Sequence, residues 1–414
     1  MKSLSIQPIV FRRGINQAVL GGEPLVFHCH HYNCILQRTL LDPADVKMKQ
    51  VLVDAAVEAV YSQLHQIAKK GEPGPQRLLE FAEMFRVLGF GVLEVDGVTE
   101  KGGKVTAPFS HYGFGFISKW GRQDSPACYF NCGYIEAAAA AAFDKPSGTY
   151  RCVETECIAQ GAKACQFELT VEAKARTFQK SVGQGICNGE VGPRTSNSHV
   201  DEEGIITAVS GMELVGNEEG YIPAFGVYLT RHFANYYNRI SYEFEARATR
   251  TRGEEIDPVI VSLLVEAGHV CAFNTLGGIM KSPEWYQLIH PSLKTREDWM
   301  HGIFAVMNAL GWGVWRVAEL VSNERLVARV YNSYESNGYL GMKYPKAEHG
   351  ICYLATGATA GLANLLYTGD ITVKPELTGD YYKKLFLNPH TFTAREVKCR
   401  GKGDPFCEIV AERK

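Results

Sequence analysis

Two matched sets of cysteine and glutamate are the residues in this chain whose types and spacing fit them for chemistry. Cys157 and Cys165 stand three and eleven residues after Glu154, and Cys399 and Cys407 stand at the same distances after Glu396, with Gly161 and Gly403 each four residues beyond the first cysteine. Upstream, Cys128 precedes Gly133 by five residues as Cys352 precedes Gly357. Each half therefore owns three thiols and one carboxylate. Three thiolates and a carboxylate make a closed tetrahedral set for Zn²⁺ with no position left for water, which is how a structural rather than a catalytic zinc is held. The expectation is two structural zincs per chain, on Cys128, Glu154, Cys157 and Cys165 and on Cys352, Glu396, Cys399 and Cys407. The alternative is free or disulfide-bonded thiols beside solvated glutamates. Glu154 and Cys157 have opposite parity on a strand, so joint ligation requires a bend near Thr155. Gly161 would then let the chain turn back toward Cys165.

The second place for chemistry is the run His28-Cys29-His30-His31-Tyr32-Asn33-Cys34. A His-x-x-Asn unit repeats as His30/Asn33 and His232/Asn235, each followed by an arginine. Candidate ligand-binding groups are His28, His30, His31, Asn33 and His111 in the first half and His232, Asn235, Tyr237 and Trp312 in the second. Ordinary core packing is the alternative for each of them taken singly. Three functional readings follow. The first is a sensor or carrier holding a small apolar or aromatic molecule between helices and sheet, since such pockets are mostly apolar with a few placed polar groups. The second is an enzyme or cofactor-handling protein, with His28 to His31 and the adjacent cysteines binding iron, copper, haem or another tetrapyrrole. The third is a thiol redox sensor using Cys29, Cys34, Cys132, Cys152, Cys187 or Cys271, of which only Cys29 and Cys34 lie beside histidines and Arg38.

The elements that must position these groups also come in pairs. Helical spacing runs from Val46 to Ala68 and from about Gln76 to Leu88, with companions from about Pro258 to Ile289 and Thr295 to Leu310. Both pairs end on similar words, Leu88-Gly-Phe-Gly-Val92 and Leu310-Gly-Trp-Gly-Val314, which mark a helix stop before a strand. Strands are expected at Val92 to Val98, Val105 to Phe109, Val314 to Leu320 and Leu326 to Tyr331, then small-residue helices at Ala137 to Phe143 and Thr359 to Tyr367. The repeat divides the chain into residues 1–182, a Gly-, Asn- and Ser-rich linker at 183–204, and residues 205–414. The second half carries a longer insertion between Gly357 and Glu396, a candidate lid or contact loop.

Composition agrees with two cores. The chain has 414 residues, 46% of them hydrophobic, against a usual domain size of roughly 100–150. Net charge is −2, which gives no electrostatic reason to expect nucleic acid or an anionic membrane. The opening Met-Lys-Ser-Leu lacks a secretory pattern, and the apolar run Ala137 to Phe143 is too short to span a bilayer, so a soluble, cytoplasmic protein without a membrane span is expected.

With the Cys-x₄-Gly segment and the Glu-x₂-Cys-x₇-Cys cluster in both halves, the chain resembles a tandem of 4-vinyl reductase domains. That module occurs in a bacteriochlorophyll biosynthesis protein and in the sensory region of phenol- and xylene-responsive activators, and it is similar in fold to TRAPP vesicle-tethering subunits. The resemblance implies a structural zinc at the matched positions and a small apolar or aromatic ligand. Single-domain members pair as homodimers, which implies that the tandem is an intramolecular pseudo-dimer open to further oligomerisation. The expected fold is α+β, each half a mostly antiparallel sheet covered by helices. The His28 to His31 run departs from the family pattern, and no ATPase module, helix-turn-helix or dinucleotide loop accompanies it.

Overall fold

The computed structural model describes residues 9–68, 71–178 and 191–413. Three short strands, β1 (Val10–Arg12), β2 (Gln17–Leu20) and β3 (Glu23–Cys29), form an antiparallel meander that runs directly into helix α1 (His30–Leu41). Helices α2 (Lys49–Ile67) and α3 (Gly74–Val87) follow, the first burying Val51, Leu52, Val53, Ala56, Val57, Val60 and Leu64 along its length. Strands β4 (Gly91–Glu94) and β5 (Gly102–Ser110), helices α4 (His111–Trp120) and α5 (Tyr129–Ala142), and strands β6 (Tyr150–Glu156) and β7 (Cys165–Val171) complete the first half. Its sheet is antiparallel in the order β4-β5-β7-β6.

The second half repeats this plan. It runs α6 (Glu202–Ser210), β8 (Ile222–Ala224), β9 (Val227–Phe233), α7 (Ala234–Arg252), α8 (Asp257–Cys271), α9 (Gly277–Lys281), α10 (Pro283–Leu288) and α11 (Asp298–Ala309). Strands β10 (Val314–Val321) and β11 (Arg325–Tyr331), helices α12 (Tyr334–Gly341), α13 (Tyr353–Ala363) and α14 (Gly379–Phe386), and strands β12 (Phe392–Lys398) and β13 (Cys407–Arg413) follow. The second sheet has the corresponding order β10-β11-β13-β12. Both halves are α+β with antiparallel sheets.

The glycine of the Cys-x₄-Gly segment sets how closely the helices approach. A Cβ at Gly133 would lie 2.3 Å from the Val53 carbonyl oxygen of α2, and one at Gly357 would lie 2.1 Å from that of Val265 in α8. Only hydrogen leaves room there, and the wholly buried alanines of α5 continue the close contact.

A third sheet draws on both halves. Its order is β1-β2-β3-β9-β8, with β3 and β9 antiparallel and Phe27 opposite Arg231 at the middle of the pairing. Two backbone hydrogen bonds flank this sheet reciprocally: Phe27 donates to the Leu310 carbonyl of the second half at 2.9 Å, and Arg231 donates to the Leu88 carbonyl of the first at 2.8 Å. This register corrects the repeat alignment. It makes His28, not His30, the counterpart of His232, so the shared His-x-x-Asn word is a coincidence of spacing.

Other boundaries also move. The stretch Pro258 to Ile289 is not one helix but α8, a π-turn at Ala272–Leu276, α9 and α10. Glu202 opens α6 inside the segment expected to be linker, with Asp201 capping the Gly204 N–H, and residues 183–190 of that segment lie outside the described residues. The continuous helical stretch Glu254–Lys281 is long and apolar enough to cross a membrane by length and composition, and half of its apolar window is buried inside the fold. The membrane question therefore belongs to this stretch and not to the apolar run at Ala137 to Phe143.

Candidate functional site

Each cysteine and glutamate set converges. Cys128 sits at the N-terminal cap of α5, Glu154 near the end of β6, Cys157 just beyond it, and Cys165 at the start of β7. The β6–β7 register shifts between Glu154 and Glu156, so the strand bulges at Thr155 and turns Glu154 and Cys157 to one side. Gly161 has φ +89° and returns the chain to Cys165. The second set is built alike, with a register shift between Glu396 and Lys398 and Gly403 at φ +95°.

The sulfurs lie 3.9 Å (Cys128–Cys157), 3.6 Å (Cys128–Cys165) and 4.0 Å (Cys165–Cys157) apart, and Cys352 and Cys407 are 3.5 Å apart. Ligands of a tetrahedral zinc at about 2.3 Å stand about 3.8 Å from one another. Glu154 Oε2 accepts the Cys128 N–H at 2.9 Å, and Glu396 Oε2 accepts the Cys352 N–H at 2.9 Å. The other oxygen of each carboxylate, Oε1, is buried without a hydrogen-bond partner. In both sets the four ligand atoms lie within 4.8 Å of one another. Burial and the neighbouring Cys157 push the Glu154 carboxyl up to about 9, the cost of gathering acidic groups with no cation among them. Backbone N–H groups of Ile158 and Ala159 point at the sulfurs of Cys165 and Cys157, each at 3.3 Å, as suits thiolates. The donor set, spacing and orphaned oxygens fit Zn²⁺. The eleven described cysteines are free and buried, which removes the disulfide alternative among them.

The predicted ligand-binding residues collect where the halves meet, in a buried network of rings and hydrogen bonds. Asn33 donates to His111 Nε2 and to Thr230 Oγ1, both at 2.9 Å, and accepts from the Tyr237 hydroxyl at 2.6 Å. His28 Nε2 lies 3.2 Å from the Tyr334 hydroxyl, and His232 Nε2 lies 3.1 Å from that of Tyr112, each histidine thus reaching into the opposite half. Around His28 stand Tyr32, Trp312 and Tyr237 at ring separations of 4.5, 4.8 and 4.9 Å. The Trp312 indole donates to the Phe27 carbonyl at 2.9 Å. Asn235 donates through its backbone and side chain to the two oxygens of Glu23, both at 3.0 Å, and belongs to a separate contact. Burial drives His28 down to about 3 and His111 and His232 well below the usual imidazole range, so all three are neutral at pH 7.

His30 and His31 point elsewhere. His30 Nδ1 accepts the Tyr228 N–H at 3.3 Å, and His31 Nδ1 lies 3.4 Å from Lys119 Nζ. Cys29 bonds Thr275 at 2.7 Å. Among the described residues the only groups of three or more His, Cys, Asp or Glu arranged to hold a metal are the two zinc-type sets, so His28 to Cys34 do not converge on an ion. Cys29 and Cys34 are fully buried with thiols pushed up by desolvation, the opposite of the accessible, activated setting expected for them. Cys132, Cys152 and Cys271 are buried too, and Cys187 lies outside the described residues.

Sequence reasoning missed Tyr112, Thr230, Tyr334 and Glu23. Glu23 is fully buried and its carboxyl is raised by burial to about 8. The matched positions of Tyr112 and Tyr334 after the paired glycine words were a usable signal for the two tyrosines; Glu23 had none.

Inside the first half, α3, α5 and the sheet enclose a small void among Leu78, Leu93, Val105, Tyr134, Ala138 and Leu169, and no polar atom faces it. It holds about 10 Å³, on the order of one water. Its walls begin at the cysteine set: α5 starts after Cys128, and β7 starts at Cys165 and carries Leu169.

The family model of the 4-vinyl reductase domain matches residues 115–171, which span most of α4 and all of α5, β6 and β7. These residues are a 4-vinyl reductase domain. The matched stretch contains all four members of the first cysteine and glutamate set and five of the residues around the apolar void. No curated protein matches the chain. Among solved structures, the phenol-responsive sensory domain of the transcription activator PoxR with phenol is 15% identical, and the match covers 47% of this chain and 82% of that one with a TM-score of 0.34. At that score the two share no framework on which a ligand position can be carried over.

Proposed function

We propose that the protein binds a small, neutral apolar or aromatic molecule as a sensor or carrier, and that two structural zinc ions fix the walls of its two halves. The observation that carries this reading is the wholly apolar void inside the 4-vinyl reductase domain, walled by elements whose ends hold Cys128, Glu154 and Cys165. A zinc there would tie α5 to β6 and β7 at one end, leaving α3 as the wall free to yield. Helix α3 is held by the Arg77–Asp144 ion pair at 2.6 Å and by the Tyr134 hydroxyl, which donates to the Phe81 carbonyl at 2.8 Å. A ligand larger than water enters by parting Leu78 and Ala82 from Leu93 and Val105, a minor state that binding makes dominant.

The reciprocal hydrogen bonds of Phe27 and Arg231 support a further part of the proposal, that the chain is a dimer of domains written as one polypeptide. Calorimetric titration with phenol as the probe tests the binding site. Wild-type protein is expected to bind saturably and Ala138→Phe, which fills the void from α5, to lose binding while keeping its fold. Equal binding by both proteins would contradict the assignment.

A further inference from the structure

The two segments that interrupt the repeat in the second half meet one another. Residues 272–297, between α8 and α11, carry the π-turn, α9 and α10, whereas the first half joins α2 to α3 directly; residues 364–391 form the insertion before β12. Four side-chain contacts join them. Lys281 Nζ donates to the Pro375 carbonyl, Arg296 pairs with Asp370 at 2.5 Å, the Tyr367 hydroxyl donates to Glu297 at 3.4 Å, and Lys374 Nζ stands 3.5 Å from the centre of the Tyr286 ring. The insertion expected to act as a lid is thus a wall.

Between the segments lies an open cleft of about 480 Å³, within the range of small-molecule sites. One side is aromatic: Tyr286 and His290 lie 4.8 Å apart, and Trp299 lies 5.7 Å from His290. The rim is basic, with Lys294, Arg296 and Lys374. Of the nearby acids, Asp370 is engaged by Arg296, and Asp298 accepts the backbone N–H groups of Lys294 and Thr295 and faces His199 at 3.0 Å. Among the described residues, no carboxylate pairs with the ammonium of Lys294 or Lys374. Lys374 also holds a left-handed backbone, φ +54°, at the end of the turn Ile371–Val373. A non-glycine residue in that conformation is kept there at a cost, and it sets the ammonium over Tyr286.

We propose that this cleft is a second ligand site, for a small planar aromatic carboxylate whose ring lies against Tyr286, His290 and Trp299 and whose charge is met by Lys294 and Lys374. The site goes beyond the apolar void of the first half in both place and ligand charge. A lysine that has only an aromatic face as partner gains a charge-assisted hydrogen bond when the anion arrives, and the ring supplies stacking area that inorganic anions lack.

The test is titration of the full-length protein with 2-naphthoate, followed by tryptophan fluorescence and calorimetry, in parallel with the neutral isostere 2-naphthol. Saturable naphthoate binding that weakens with rising salt, and that falls by about tenfold or more in the Lys294→Glu/Lys374→Glu variant, is the expected result. Both lysines are exposed, so the variant should keep the wild-type melting curve. Ala138→Phe should leave naphthoate binding unchanged, which separates this site from the void. Absence of saturable naphthoate binding, or equal binding by the wild type and the double variant, would overturn the proposal.

Discussion

Asn33 spends both ends of its amide on side chains that come from three other elements, His111, Thr230 and Tyr237. Truncation to alanine strands those partners in a dry interior, and urea unfolding of Asn33→Ala should show a loss on the order of 3 kcal/mol. The neighbouring histidines add a pH dependence whose sign is fixed by burial. His28, lowered to about 3, stays neutral in the folded chain while the unfolded chain takes up a proton below the ordinary value of 6.5. The unfolded state then binds more protons, so stability falls as pH drops from 6.5 toward 3. Urea midpoints measured between pH 7.5 and 4.5 should decline less steeply for His28→Phe than for wild type; parallel slopes would mean that His28 titrates in the folded chain. At this scale the sequence was half legible. The metal-type residues announced themselves by repeated spacing. His30 and His31 looked equivalent to His28, because the point where β3 gives way to α1 decides which ring faces inward, and no pattern in His28-Cys-His-His31 marks that point.

The elements that carry the cysteine sets are predicted to hold one zinc each. Metal analysis of Cys165→Ser and of Cys407→Ser should show the loss of one equivalent apiece with a lowered melting temperature, since structural zinc binding is coupled to folding. Wild-type protein that is folded and metal-free would contradict this. The helix pairs give a second check. Gly133→Ala places a methyl against the Val53 carbonyl, and overpacking of this kind should cost about 1–3 kcal/mol in unfolding experiments. Helices α2, α3 and α11 and strands β5, β10 and β11 were readable because periodicity and paired glycines mark them. The break of α8 into a π-turn and short helices was not, because the apolar pattern continues across it and the change follows from packing against the insertion. The bulge at Thr155 was readable from parity alone, since no flat strand turns Glu154 and Cys157 to one side.

For the whole molecule, the sheet that joins β3 to β9 means that neither half owns a finished surface. Residues 191–414 produced alone would bare the edge of β9, and an unpaired edge recruits another chain. Light scattering should report dimers or aggregates, and a monodisperse monomer would contradict the pseudo-dimer proposal. Duplication was visible in the sequence; the crossing of each half into the other was not, because strand partners distant in sequence leave no local mark. The central claim is that the first half takes an apolar ligand between α3, α5 and its sheet. Methyl NMR of the full chain during phenol titration tests this most directly. The account predicts saturable shifts at Leu78, Leu93, Ala138 and Leu169, with the methyls of α13 unmoved. Shifts confined to other regions, or none that saturate, would contradict it.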